Sequence, residues 1–227
     1  MKSSSPQHTV IHPFAACLCL VLTPTISQSQ QPANSDHAVH DTFDRTSLGQ
    51  QWRIAGGTWK VVDNALRGNG MSETPKSATI TRAAETGNAV YQFQFMLTEN
   101  CESLRFSTGS KDPKTETLQS HLSLRITPQA LNLCKATTLE KDSDTKPWDA
   151  ASPEQTVNST KLTLQPNRWY KARVMTWGPF VTVAIDGKRI LKGSDPSFTA
   201  RNDLIGFQCI GGPIEIDDVD VWTQTLN

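Results

Sequence analysis

The segment EIDDVD, Glu215 to Asp220, places four carboxylates within six residues near the end of the chain. Alternate residues of a strand share a face, so Glu215 and Asp217 would point to the same side of a strand. Two carboxyl groups about 5 Å apart can cleave a glycosidic bond, one as nucleophile and the other as general acid. The alternative is an ordinary closing strand, in which the isoleucines enter the core and a bulge follows at Asp217–Asp218. We favour the closing strand.

A second set of candidate residues follows from strand alternation. In AVYQFQFML, HLSLRI and WYKARVMTW the apolar residues share one face and polar residues occupy the other. Amides and guanidinium groups suit sugar hydroxyls, and tryptophan can stack on a pyranose ring. The alternative is a solvated sheet face without a ligand. The residues that we predict to bind a carbohydrate are Gln92, Gln94, Arg105, His121, Arg125, Arg173, Trp177 and Gln208.

Part of this set has a predicted geometry. If the three strands are neighbours, one sheet face carries the five side chains of Gln92, Gln94, His121, Arg125 and Arg173. Such a patch spans a mono- or disaccharide. The next place for a ligand is the charged loop 139–157, which contains Trp148.

Composition limits the classes of partner. The 227 residues include 22 Lys and Arg and 22 Asp and Glu, so the formal net charge is zero. A neutral chain offers no electrostatic attraction for nucleic acid or an anionic membrane. The sequence contains no phosphate-binding loop, nucleophile elbow or H-E-x-x-H zinc motif. We therefore expect no nucleic acid partner, and the polar strand faces described above favour a carbohydrate, an oligosaccharide or polysaccharide.

The elements that must position these residues are strands. No segment longer than ten residues has a helical period, and short alternating segments are separated by turn signals. Asp186–Gly187 predicts a hairpin, and Gly211–Gly212–Pro213 predicts another. We predict an all-β fold, a two-sheet antiparallel jelly-roll sandwich, with residues 40–227 as a single domain.

The N-terminus has the features of a secretory signal over residues 1–29. Lys2 is its only charge, an apolar run follows from Ala15 to Leu22, and small residues surround a predicted cleavage site near Ser29. The apolar run is too short to span a bilayer. We predict a secreted or periplasmic protein without a membrane span, in which residues 30–39 are a disordered lead-in.

Three cysteines lie outside this leader: Cys101, Cys134 and Cys209. An odd number leaves at least one thiol without an intrachain partner. The sequence leaves two alternatives for Cys101 and Cys134: a disulfide between them, or two free thiols. Cys209 lies in the apolar segment LIGFQCI, so we predict that it is buried and unreactive.

Two blocks of sequence carry a family likeness. The first, DTFDRTSLGQQWRIAGGTWKVVDNALRG, contains the pattern G-x-W-x-V-x-D-x-x-L-x-G, and the second is RWYKARVMTWGPFVTVAIDGKRI followed by IGFQCIGGPIEIDDVDVW. The chain resembles concanavalin A-like (laminin G-like) jelly-roll domains and is similar to bacterial exported 3-keto-disaccharide hydrolase-like domains. The blocks cover roughly the first and last thirds of the chain.

The resemblance implies an exported carbohydrate-active domain that hydrolyses glycosides or 3-keto disaccharides. A non-catalytic carbohydrate-binding module and a structural or adhesion domain of an exported assembly are the alternatives. Laminarinase-type glycosidases of this fold carry E-x-D-x-E or E-x-D-x-x-E in a middle strand. EIDDVD lies at the chain end and has Asp220 in the final position. No catalytic residue is therefore assigned, and the sequence leaves open whether the domain is an enzyme.

Two segments contain residue types that bind metal ions. The segment DHAVHD, Asp36 to Asp41, has two histidines three residues apart, but in a disordered lead-in they have no fixed geometry, so we predict no metal there. Jelly rolls often tie the first strand to the last with calcium, which prefers oxygen ligands. Solvated acids are the commoner case, so we expect no cofactor. The calcium ligands in that alternative are Asp41, Asp44, Asp217 and Asp218.

Overall fold

Strands dominate the chain, as the alternating sequence predicts. The computed structural model describes residues 35–70, 77–111, 118–136 and 154–224. Within these ranges, 15 strands form two antiparallel sheets, and one short 3₁₀ helix spans Pro196–Thr199. The predicted two-sheet antiparallel sandwich is confirmed. No helix among the described residues has the length and apolar character needed to cross a membrane.

The two sheets are named A and B. In spatial order, sheet A contains β13 (Lys188–Ser194), β12 (Phe180–Ile185), β11 (Trp169–Trp177), β6 (Ala89–Leu97), β15 (Ile214–Gln224), β4 (Ala65–Asn69) and β3 (Thr58–Val62), and β1 (Ser35–Asp41) also pairs with β15. Sheet B contains β10 (Glu154–Lys161), β9 (Ala130–Ala136), β8 (Leu118–Ile126), β7 (Cys101–Lys111), β14 (Asn202–Gly211), β5 (Ser77–Thr86) and β2 (Trp52–Gly56).

Aromatic side chains from both sheets form the core between them. Phe93 of β6 lies 5.1 Å, centroid to centroid, from both Phe106 of β7 and Phe207 of β14. Tyr91 lies 5.3 Å from Phe106. The apolar sets predicted to face inward on β6, β8 and β11 are buried here, whereas Trp169, Met175 and Trp177 of β11 are on the exposed side. The polar residues between them therefore point away from the core, onto the outer face of each sheet.

Trp59 and Gly68 explain part of the G-x-W-x-V-x-D-x-x-L-x-G pattern. The two residues are directly opposite one another on β3 and β4. A Cβ atom at position 68 would lie 2.5 Å from the Trp59 ring, which is closer than side chains can pack. Glycine at this position therefore makes room for the buried indole.

The segment at Gly211–Gly212–Pro213 corrects one prediction. We expected a hairpin there, but β14 belongs to sheet B and β15 to sheet A, so the two strands do not pair. A Cβ atom at Gly212 would lie 2.5 Å from the backbone of Asn100. Glycine and proline occur both in hairpin turns and in connections where two backbones pass close together. Here the segment connects one sheet to the other. The Asp186–Gly187 hairpin is confirmed, with φ angles of 48° and 77°.

Strand β1 extends the ordered region beyond the predicted boundary. Ser35–Asp41 pairs with β15 from Val219 to Gln224, so the part of the predicted lead-in from residue 35 onward is a strand. Val39 enters the core and is 2% exposed. A single apolar residue in a polar segment gives too weak a pattern to predict a strand. Residues 1–34, including the predicted signal peptide, and Trp148 lie outside the described residues.

Asp41 ties β1 to sheet B through a buried carboxylate. Its Oδ1 accepts hydrogen bonds from the Phe43 backbone N–H and Arg45 Nη1, at 3.0 and 2.6 Å. Its Oδ2 accepts from Arg45 Nη2, Trp52 Nε1 and Arg82 Nη1, at 3.0, 2.8 and 2.8 Å. Burial favours a raised pKa for Asp41, but the hydrogen bonds from Arg45, Trp52 and Phe43 and the charge of Arg45 hold the pKa below its usual value.

Replacement of this carboxylate tests its structural role. Asp41→Asn leaves the guanidinium of Arg82, whose side chain is 10% exposed, without a countercharge. We expect the free energy of unfolding at pH 7 to fall by about 3–5 kcal/mol, as measured by urea denaturation. Because the folded pKa is depressed, the difference from wild type should shrink as the pH falls below about 4. Asp63→Asn, at an exposed turn residue, is the control; an equal loss there would contradict the role of Asp41.

The three cysteines are free thiols, and each is buried. Cys101 and Cys134 do not form the disulfide that the sequence left open, because β8 separates β7 from β9 and next-nearest strands lie roughly 9.6 Å apart. Burial raises the pKa of Cys101 to about 12 and that of Cys209 to about 11. Few thiolates therefore exist at neutral pH.

We expect all three thiols to resist labelling in the native protein. Brief treatment with iodoacetamide at pH 7.5, followed by peptide mass mapping, should leave Cys101, Cys134 and Cys209 unmodified, whereas the same treatment in guanidinium chloride should modify all three. Rapid native labelling of Cys209 would contradict its burial in β14.

Candidate functional site

The predicted carbohydrate-binding residues divide between the two sheets. Gln92, Gln94 and Arg173 lie on β6 and β11 of sheet A, whereas His121 and Arg125 lie on β8 of sheet B. The prediction that these five residues share one face of one sheet is wrong. Alternation assigns each side chain to the face opposite its own apolar set, but it does not say which strands become neighbours. The predicted patch is therefore two separate faces.

Sheet B brings three of the predicted residues into one row. Gln208 of β14 lies opposite Arg105 of β7, and Arg105 lies opposite Arg125 of β8. The register continues to Thr79 of β5 on one side and Asn132 of β9 on the other. Neighbouring strands lie about 4.8 Å apart, so the row extends roughly 19 Å across the outer face. We call these five residues the arginine row.

Three residues of the arginine row, Thr79, Arg105 and Gln208, are buried although they point away from the core, whereas Arg125 and Asn132 are partly exposed. Gln208 is 0% and Arg105 4% exposed. Several buried polar atoms on this face have no hydrogen-bond partner among the described residues. They are Ser103 Oγ, Arg105 Nε, Ser107 Oγ, Ser123 Oγ and Arg125 Nε. A buried polar atom without a partner costs roughly 1–3 kcal/mol, and water or a polar ligand that reached these atoms would offset this cost.

Glu154 of β10 gives the arginine row a carboxylate. Its Oε2 lies 3.2 Å from Nη2 of Arg105, and its side chain is 14% exposed. Burial lowers the pKa of Arg105, the charge of Glu154 opposes that decrease, and the charge of Arg125 adds to it. Two guanidinium groups and one carboxylate leave the face with a net positive charge. Such a site can stabilise an oxygen that becomes negatively charged and can place a base beside it.

His121 occupies a different part of the same sheet. Its Nε2 lies 3.1 Å from Ser110 Oγ, and its Nδ1 lies 3.2 Å from Asn202 Oδ1. It lies four positions before Arg125 in the chain, which corresponds to about 13 Å along a strand. Both ring nitrogens have partners within the protein, so the structure places His121 in a local hydrogen-bond network beyond the arginine row.

The remaining predicted residues lie on sheet A. Gln92 lies opposite Arg173 on one side and Asp220 on the other. The Gln94 amide donates a hydrogen bond to Asp218 Oδ2. Trp177 is 51% exposed at the end of β11, where it pairs with Phe180. None of these four predicted residues contacts the arginine row through a described hydrogen bond or strand pairing.

The segment EIDDVD has the closing-strand arrangement. Ile214 and Ile216 are fully buried, and the register against β6 shifts between Asp217 and Asp220. Before this bulge β15 pairs with β4, and after it β15 pairs with β1. Asp218 has a φ of 46°, which the bulge requires. The bulge is therefore the place where the strand changes neighbour.

The two acids that sequence alternation places on one face have structural partners in sheet A. Glu215 Oε1 accepts hydrogen bonds from Nε and Nη2 of Arg67 on the adjacent strand. Asp217 Oδ1 accepts from the backbone N–H of Asp218 at 2.8 Å. Both residues belong to the sheet opposite the arginine row. This geometry gives them no part in that site.

Burial and neighbouring acids disfavour the ionised form of Asp217. Burial raises the pKa of Asp217 to about 6, and the charges of Asp218, Asp44 and Asp41 add to the increase, while the Asp218 N–H opposes it. The folded state therefore holds a proton that the unfolded state releases near pH 4. Stability should fall as the pH rises between about 4 and 6.

Asp217→Asn removes this charge and keeps the oxygen that caps Asp218. The pKa shift by itself corresponds to about 3 kcal/mol, and solvent screening of this partly exposed carboxyl reduces the expected gain in stability to about 1–2 kcal/mol at pH 7, with no difference from wild type below pH 4. Thermal unfolding across this pH range measures the difference. A variant that is less stable at neutral pH would show that the carboxylate has a partner, such as a cation, in the folded protein.

The four predicted calcium ligands do not all suit that role. Every oxygen of Asp41 already accepts hydrogen bonds from arginine, tryptophan or backbone donors, so this residue has no lone pair directed at a calcium ion. Thr42 Oγ1 donates to Asp44 Oδ2 at 2.8 Å. A calcium site on Asp44, Asp217 and Asp218 stays a prediction.

Glu154 and Asn132 were missed by sequence reasoning. Glu154 lies at the edge of the charged segment that was interpreted as a loop, where alternation gives no signal. Asn132 lies between Leu131 and Leu133, and these two leucines are buried. The pattern LNL was therefore a detectable strand signal for a polar residue on the outer face.

The chain folds as a jelly-roll domain, and the arginine row forms a polar strip on the outer face of sheet B. The family model described as 3-keto-alpha-glucoside-1,2-lyase-like domain matches residues 39–221. The match spans most of the chain, so the protein belongs to this family of carbohydrate-active domains. The family resemblance of the sequence is confirmed. A search of curated proteins finds no match.

Solved structures share the fold at low sequence identity. The carbohydrate-binding module CBM66 from Bacillus subtilis is 12% identical, with a TM-score of 0.57 over 76% of this chain and 96% of that chain. A non-specific endo-β-1,3(4)-glucanase of family GH16 is 12% identical, with a TM-score of 0.58 over 87% and 94%. Porphyranase B from Zobellia galactanivorans is 8% identical, with a TM-score of 0.58 over 88% and 98%. These likenesses confirm the concanavalin-like jelly roll.

Proposed function

We propose that the protein is an exported enzyme that cleaves 3-keto-α-glucosides on the outer face of sheet B. The observation that carries the proposal is the arginine row, where Arg105 and Arg125 lie side by side with buried donors that have no partner among the described residues. Family membership supports the substrate class. The predicted signal peptide supports a site of action outside the cytoplasm.

The chemistry of a 3-keto sugar matches this donor set. A ketone at C3 makes the neighbouring C2–H acidic. A base removes that proton, the C–H electrons form an enolate, and its negative charge rests on O3. The enolate then re-forms the ketone and a C1=C2 bond while the C1–O bond breaks, and the departing sugar oxygen takes up a proton. The reaction needs one base and a stabiliser of the enolate oxygen.

Arg125 and Glu154 suit these two tasks. The guanidinium of Arg125 would donate hydrogen bonds to O3 as charge develops, and Gln208 and Asn132 would bind sugar hydroxyls along the same row. Glu154 lies beside Arg105 and would take the C2 proton. Exclusion of water strengthens the attraction between a guanidinium and an enolate. Glycosidases of this fold need two carboxylates, but this elimination needs only one.

A carbohydrate-binding module is the second candidate. It is favoured by the structural similarity to CBM66 and by the ion pair between Glu154 and Arg105, which ties up the candidate base. A module would hold the sugar with the same hydrogen bonds and release it unchanged. Turnover therefore separates the two candidates.

Substitution of Arg125 tests the location of the site. We expect Arg125→Ala to lower kcat/KM for a 3-keto-α-glucoside by about 10²–10³-fold, since an oxyanion-stabilising donor contributes on that scale. The assay is release of the aglycone, followed by NMR. Arg173→Ala, the same change on the outer face of sheet A, is the matched control and should stay within about 2-fold of wild type.

Glu154→Gln separates catalysis from binding. We expect turnover to fall by about 10²–10⁴-fold, the size of a lost general base, while calorimetric affinity for the substrate changes little. Saturable binding without turnover by the wild-type protein would select the binding module. If Arg173→Ala lost activity while Arg125→Ala retained it, the site would lie on sheet A and the proposal would be wrong.

A further inference from the structure

Three side chains converge on the outer face of sheet A, where β1 pairs with β15. His37 Nε2 lies 3.3 Å and His40 Nδ1 lies 2.7 Å from Asp220 Oδ1. The ligand-capable atoms of the three residues all lie within 4.8 Å of one another. Two imidazole nitrogens and one carboxylate oxygen are the donor set of many zinc and other divalent transition-metal sites.

A bulge in β1 creates this convergence. Residues i and i+3 of a regular strand point to opposite faces, so His37 and His40 would be separated. The register with β15 shifts between His37 and Val39, which adds one residue and turns both histidines to the outer side. Val39 between them remains in the core. His40 lies opposite Asp220, and His37 opposite Trp222.

The surroundings hold the three ligands in place. The ring of His37 stacks on the indole of Trp222 at 5.1 Å, and on His40 at 5.4 Å. The side chain of Asp220 is 15% exposed, whereas those of His37 and His40 are 40% and 60% exposed. The carboxylate of Asp220 is therefore mostly buried, whereas the two imidazoles are accessible to solvent. An exchangeable ligand such as water has access to it.

The geometry agrees with metal ligation. Zinc–nitrogen and zinc–oxygen bonds are about 2.0–2.2 Å long, which puts the ligand atoms of a tetrahedral site roughly 3.4 Å apart. An ion pair between His40 and Asp220 would explain the shorter distance by itself. His37 Nε2 approaches the same carboxylate oxygen at 3.3 Å, and a shared metal ion would account for both contacts.

We propose that His37, His40 and Asp220 bind one divalent transition-metal ion, zinc in the first instance, with an open coordination position. The ion would fasten the first strand to the last at the surface. The site lies on the sheet opposite the arginine row, so it is independent of the function proposed for that face.

Zinc binding by the full, untagged chain tests the proposal. Isothermal titration of metal-free protein with zinc chloride should show one site per chain. His40→Ala and Asp220→Asn should each weaken zinc binding by at least about 10-fold. His121→Ala removes a histidine from sheet B and is the matched control, with unchanged affinity. Calcium chloride should not bind at this site, because imidazole nitrogen is a poor calcium ligand.

Thermal unfolding gives a second readout that does not depend on the variants' affinity measurements. At a zinc concentration about 100-fold above Kd, the wild-type Tm should rise by roughly 5 °C, and EDTA should reverse the rise. His37→Gln should lose the zinc-dependent rise while keeping the wild-type Tm in EDTA. The proposal is overturned if wild type shows no saturable zinc binding, or if zinc affinity persists in the double variant of His40 and Asp220.

Discussion

The carboxylate of Asp41 is the interaction on which much of the arrangement depends. It takes hydrogen bonds from arginine, tryptophan and backbone donors, and it connects β1 of sheet A to β2 and β5 of sheet B. Because the Asp41 side chain points inward, strand alternation directs the preceding residue, His40, to the outer face. Trp52, which donates to Asp41, also packs 6.0 Å from Phe207 in the core, so the same contact links the sheet edge to the aromatic core behind the arginine row.

The two outer faces have different chemistry. Sheet B presents Arg105 and three buried serines, with Arg125 and Glu154 partly exposed beside them. Sheet A presents acids and histidines together with Arg67 and Arg173, and the bulge of β15 holds Asp217 and Asp218 together. Each face derives its character from one physical requirement: polar side chains on the outside of a sandwich need either water or a partner. On sheet B the described residues leave that requirement unmet, which is why the proposed ligand belongs there.

The proposed 3-keto substrate would not require a glycosidase-type pair of carboxylates. The ketone lowers the barrier to removal of the neighbouring proton, so one base and a guanidinium replace an acid and a nucleophile. EIDDVD can then serve the fold alone. Its bulge lets β15 pair with β4 and with β1 along the same edge, and so closes sheet A.

The sequence alone determined the all-β class, the buried face of each long strand, the closing-strand character of EIDDVD and the family, because period-two alternation and turn chemistry are local signals. It also placed Arg105, Arg125 and Gln208 on polar faces. Only the tertiary structure decided which faces coincide. The strand order places Gln92, Gln94 and Arg173 on a different sheet from Arg125. It also makes Gly211–Gly212–Pro213 a connection between the sheets, and it places β8 between the strands of Cys101 and Cys134. A bulge in β1 brought His37 and His40 to one side. Neighbour choice and bulges depend on contacts between residues far apart in the chain, which no local pattern records.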